Sequence, residues 1–219
     1  MKIHSFVTEI LIFSLILLFF LFPPIYSSFT NVNSTTVLEW KMPILNAIYA
    51  LFALVIYIEY NDKIEEKNAF NFVYKKVVPF TLCFGFLLTF SLIYKFIAIL
   101  ISHSSSTQII FPTTFIKWIY CILSFFFAAF FEEVLYRFYT PEIIKYFVRK
   151  IKNEKVIFLI SEIITILFFS LAHYYMGYLS VINALTGHII LRLCYKKSNS
   201  IMPGFLAHFL YNIISLILL

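Results

Sequence analysis

Residues 115–137 read FIKWIYCILSFFFAAFFEEVLYR. From Phe115 to Tyr136 the run is long and apolar enough to cross a bilayer, which takes about 20 mostly apolar residues in an α-helix. Yet it ends on two adjacent carboxylates, Glu132 and Glu133, with Arg137 one helical turn further on. Ionisable side chains inside a membrane are costly and need a reason. The fold and the purpose of the acids are therefore questions posed by the same segment.

Six further apolar runs flank it. Before it come Phe6–Phe22, closed by Pro23-Pro24, then Pro43–Ile58 and Val77–Ile101, entered through Pro79. After it come Val156–Tyr175, Tyr178–Leu193 and Ile201–Leu219. Across 219 residues, 62% are hydrophobic and 13% charged, with 28 Phe and 15 Tyr. The charged share is about half that of a soluble domain, and mean hydropathy is +0.91. One soluble core could not hide this much apolar surface, and the same composition excludes disorder. The expected fold class is all-α, a polytopic transmembrane helical bundle of about seven spans. Lys2 ahead of the first run also fits a signal peptide. That run is long, however, and no small-x-small cleavage pattern precedes Tyr26-Ser27-Ser28, so a retained helix is expected.

The net charge of +6 would suggest nucleic acid in a soluble protein. Here the basic residues sit in loops between spans, so the bilayer, not nucleic acid, is the expected partner. With seven spans, one face collects Lys2, Lys63, Lys67, Lys75, Lys76, Arg137, Lys145, Arg149, Lys150, Lys152, Lys155, Arg192, Lys196 and Lys197. The other has only Lys41, with Lys95 and Lys117 near helix ends. The positive-inside rule then places the N-terminus in the cytoplasm and the C-terminus outside. Tyr139–Lys155 carries Ile143, Ile144, Phe147, Val148 and Ile151 at helical spacing among charges, with Thr140-Pro141 as cap and first helical residue. This predicts a short amphipathic helix on the cytoplasmic face. Cys83, Cys121 and Cys194 stand far apart in apolar runs and show no metal or redox spacing.

Four polar sets in the second half invite chemistry. Glu133 and Arg137, four apart, share a helix face and can pair. Glu132 is turned about 100° away, which leaves it free as a candidate base with Glu133 and Arg137 as an orienting pair. Phe169 and His173 share a face, so the ring can pack on the imidazole. His208 and Asn212 do likewise, with Gly204 one turn earlier permitting close helix approach. The sixth span carries Asn183, Gly187, His188 and Arg192, read as packing or interfacial groups. Glu162 is read as an acid near a helix start, or as part of a polar stripe below His173. Taken singly, each set also reads as an interfacial ion pair, a core histidine or a helix–helix hydrogen bond.

Together and in this order the motifs Glu-Glu-x-x-x-Arg, Phe-x-x-x-His and His-x-x-x-Asn resemble the CPBP intramembrane protease family, also known as the CAAX-processing or Abi glutamic endopeptidases. The resemblance covers about residues 117–217, including NALTGHIILRLCYKKSNSIMPGFLAHFLYN from Asn183 to Asn212. Phe138 stands where the family usually has glycine. The resemblance implies a catalytic core at 115–219, comprising four spans and the amphipathic helix at about 139–155, behind three motif-free spans in 1–114. It implies a cavity open to the cytoplasmic side of a bacterial inner membrane, and a membrane-associated protein or peptide as substrate, prenylated or transmembrane. Glu132 and His173 would activate a water, and His208 with Asn212 would stabilise the oxyanion.

The residue types suit that chemistry. Peptide hydrolysis needs a base, an oxyanion donor and a shielded site, and asparagine donates without neutralising the base. No cofactor is required. Glu132, His173 and His208 also suit an open three-ligand zinc site, although no H-E-x-x-H helix is present. Chemistry alone leaves that choice open. For His173 to reach the others, the fifth helix must begin outside the membrane, and the Tyr174–Tyr178 turn must lie deep and buried in protein. A noncatalytic scaffold binding a partner membrane protein is the second reading. A small-solute transporter is the third, but the chain lacks that class's repeats.

Overall fold

The computed structural model describes residues 5–30, 36–38, 40–61, 73–100 and 107–218. Lys2, Lys63 and Lys67 lie outside these. The elements, in chain order, are α1 (Phe6–Ile16), α2 (Phe22–Thr30), β1 (Thr36–Leu38), α3 (Ile44–Tyr60), α4 (Val78–Leu100), β2 (Thr107–Ile109), α5 (Phe115–Glu132), α6 (Thr140–Phe147), α7 (Glu154–Leu171), α8 (Tyr178–Ser198) and α9 (Met202–Leu218). Three π-helical segments join or extend them: Leu17–Leu21 between α1 and α2, Val73–Val77 ahead of α4, and Glu133–Tyr139 between α5 and α6. A 3₁₀ turn, Tyr174–Met176, separates α7 from α8. The described residues thus form seven rods. Phe6–Ser27, Tyr74–Leu100 and Phe115–Phe147 are long and apolar enough to cross a membrane, and Ile44–Tyr60 and Met202–Leu218 are shorter apolar helices.

Three local expectations change. Pro23-Pro24 does not end the first rod. The π segment resets the hydrogen-bond register, with Phe22 N–H donating to Leu17 O. The prolines then fall in the first turn of α2, directly after this change of register. The amphipathic helix expected over 139–155 is shorter, Thr140–Phe147, and is continuous with the fourth rod. Thr140 continues the fourth rod in αR conformation rather than capping a new one, because the π segment carries the chain through without a break. That helix ends at Phe147, and Asn153 caps α7 by accepting from Lys155 N–H at 3.0 Å. The all-α expectation gains one exception, a parallel ladder pairing Thr36 with Thr107 and Leu38 with Ile109. It joins the loops after the first and third rods at one end of the bundle. Trp40 Nε1 donates to Ile110 O there at 2.6 Å.

The main core gathers Ile16 and Leu21 from the first rod, Ala53, Ile56 and Tyr60 from α3, Val134, Leu135, Phe138 and Tyr139 from the third π segment, and Phe169 from α7. Phe20 stacks on Phe52 at 4.1 Å. Glu9 is fully buried and accepts from Tyr60 Oη at 2.9 Å. That acid in the first span meets the same rule that flags Glu132. In lipid such contacts work through close packing and hydrogen bonds rather than water exclusion. The first two motif-free rods therefore brace the π segment that begins at Glu133.

Candidate active site

Glu132 closes α5 and Glu133 opens the π segment. The two carboxylates diverge: the Glu133 side chain is 0% exposed and that of Glu132 23%. Short π segments inside α-helices are frequent at functional sites.

Glu133 is enclosed from three sides. Arg137 Nε lies 3.4 Å from its Oε1 in a fully buried ion pair, the contact expected from the i,i+4 spacing. His208 Nδ1 lies 3.1 Å from the same oxygen. A carboxylate only accepts, so this nitrogen is the donor. The third side is Gly204. A Cβ there would stand 2.8 Å from Glu133 Oε2, so only glycine lets α9 press this closely on the acid. The Arg137 guanidinium stacks 4.1 Å above the Phe169 ring, which also meets His173 at 4.8 Å, Tyr136 at 5.1 Å and His188 at 5.5 Å. His188 is buried against this stack.

His208 bridges the pair of acids, for its Nε2 faces Glu132 Oε2 at 3.7 Å. His173 lies just past the end of α7, with φ −99° and ψ 5°. Its Nδ1 is 2.8 Å from Phe169 O. A carbonyl also only accepts, so the proton sits on Nδ1 and leaves Nε2 as a free acceptor in the neutral ring. The turn that follows is half-buried and packs on the first rod, with Phe29 and Tyr174 at 4.9 Å. No direct bond joins His173 to Glu132 among the described residues. Both line one cavity of about 830 Å³, as do His208 and Asn212. Tyr175 and Tyr211 also line it, and Asn183 donates to Tyr211 Oη at 3.3 Å. Neither tyrosine carried a signal that separates it from the other thirteen in the chain. Among the described residues no three His, Cys, Asp or Glu side chains converge as a metal site.

The cavity runs from Glu132 toward the ladder end, where Trp40, Lys41 and Lys95 line it. The opposite end holds a second polar cluster. Glu162 is neither at a helix start nor part of a stripe to His173. It lies in mid α7 and takes a fork from Arg192, Nε at 3.1 Å and Nη2 at 2.9 Å, with Lys196 Nζ at 2.9 Å. Glu142 joins Lys145 at 2.8 Å and Arg192 at 3.3 Å. With this basic end in the cytoplasm, the cavity's Trp40, Lys41 and Lys95 end lies toward the other face. A site open to the cytoplasm would need the reverse orientation.

No curated protein and no solved structure matches the chain. Residues 113–214 match the family model described as Type II CAAX prenyl endopeptidase Rce1-like, and the match spans all three motifs. This C-terminal part of the chain is thus similar to a family of CAAX prenyl endopeptidases.

Proposed function

We propose that the protein hydrolyses a peptide bond in a membrane-associated protein, with Glu132 as the base that takes a proton from water. The observation that carries this reading is the chain Glu132–His208–Glu133–Arg137 at the inner end of the cavity. Glu133 and Arg137 lock His208 in place, and its second nitrogen is left facing the reaction space. Glu132, less enclosed, reaches that space itself. His173, with Nε2 an acceptor, shares the water. Asn212 supplies a donor where the scissile carbonyl becomes an oxyanion, and His208, one turn earlier on α9, adds a second from Nε2 when its ring carries both protons. The apolar walls between α4, α5 and α9 suit a lipid-modified or membrane-inserted chain.

The test uses the full protein in liposomes with a farnesylated peptide ending in a Cys-aliphatic-aliphatic-X sequence. Glu132→Gln is expected to lower cleavage by about a thousandfold or more while the thermal transition stays put. Cleavage retained by Glu132→Gln overturns the base assignment. A parallel sample with chelator is expected to keep its activity, and loss restored by zinc would favour a metal mechanism instead. Complementation in cells by Glu132→Gln would point to the scaffold reading.

A further inference from the structure

Pro141 lies where the fourth rod leaves its π segment. In α-helical register the N–H of residue 141 would donate to the carbonyl of Arg137. Proline has no N–H, and its ring crowds that carbonyl. The carbonyl has another donor: Arg192 Nη1, reaching across from α8. The remaining guanidinium edges are fixed by the fork on Glu162 and by Glu142. Arg192 is 3% exposed and does not line the catalytic cavity.

We infer that Arg192 is a positioning residue, standing in for the backbone donor that Pro141 lacks and so holding the π segment in the register that aims Glu132 and Glu133. The same residue whose carbonyl it grips, Arg137, pairs through its side chain with Glu133, and Glu133 holds His208. A shift of this backbone therefore moves the whole set. This rests on the proposed roles of Glu132 and His208 for its catalytic consequence, and on geometry alone for its structural one.

Arg192→Met tests it, because it removes every donor yet leaves Glu162 with Lys196 and Glu142 with Lys145. Expected are at least a tenfold loss in kcat with KM within twofold, and at least tenfold faster amide hydrogen exchange across residues 133–147. Adding Pro141→Ala restores the backbone donor, so the double variant should recover both readouts, while Pro141→Ala alone stays near wild type. If Arg192→Met does not fold, Arg192→Lys serves. It keeps a donor for the carbonyl but loses the fork on Glu162, and is expected to keep kcat. Unchanged exchange in Arg192→Met, no recovery in the double variant, or collapse of kcat in Arg192→Lys would each overturn the inference. Exchange is read without turnover, so failure of the Glu132 assignment would leave that arm intact.

Discussion

Two polar clusters lie in this bundle, and they are built on opposite terms. At the basic end, Glu142, Glu162, Arg192, Lys145 and Lys196 satisfy one another, each acid holding two cations. At the inner end of the cavity, Glu132 Oε2, Glu133 Oε2 and the nitrogens of Arg137 are buried without a well-aligned hydrogen bond. The Glu133–Arg137 pair meets at ion-pair distance but misses hydrogen-bond geometry. A saturated network fixes a structure. A partly satisfied one beside a cavity keeps capacity for a substrate or a water, and that is where reaction chemistry belongs.

The contrast breaks most sharply at Gly204. Gly204→Ala would push Glu133 off α9 and pull His208 with it. A fall in kcat of about 100-fold is expected, the scale of a misplaced catalytic group. Gly85, with nothing within 4 Å of its Cβ position, should accept alanine without loss. Equal activity of the two variants would sever Glu133 from the site. Glu162→Gln should show the reverse pattern. Arg192, 4% exposed in its side chain, would lose its forked partner but keep Glu142. A loss of about 2 kcal/mol in unfolding free energy is expected, below the full cost of a stranded buried charge, with kcat retained. A large drop in turnover at unchanged stability would move catalytic weight to the basic end. The mildest intervention is Lys41→Cys against Lys152→Cys, labelled with an impermeant maleimide in whole cells. The charge distribution predicts that only residue 41 reacts from outside, and the opposite pattern would turn the cavity to the cytoplasm.

Much of this was legible in the linear chain, for identifiable reasons. Apolar runs give the rods directly, and helical spacing puts Glu133 by Arg137 and Phe169 by His173. The spacing of Glu132 from Glu133 also foretells that the two acids face different surroundings. What escaped depends on hydrogen-bond register or on partners distant in sequence. A π turn leaves no composition signature, so Pro23-Pro24 read as a stop and Thr140-Pro141 as a start. Glu162 and Arg192 are 30 residues apart, and nothing local announces their fork. His208 shows the same limit: its spacing to Asn212 is visible, whereas its seat between two acids 75 residues away is not. Glu9 falls under the rule for charges in membranes, but its partner Tyr60 lies 51 residues away and no local motif marks the pair.

The wide turns at Glu133–Tyr139 have a genetic corollary. An i→i+5 loop holds one residue more than the α-helical turn it replaces, so a single-codon deletion within it could close the rod into an unbroken α-helix. Everything downstream would rotate by about 100°. The enzyme could thus be silenced, or awakened, by a change in length that alters none of its acids, imidazoles or amides.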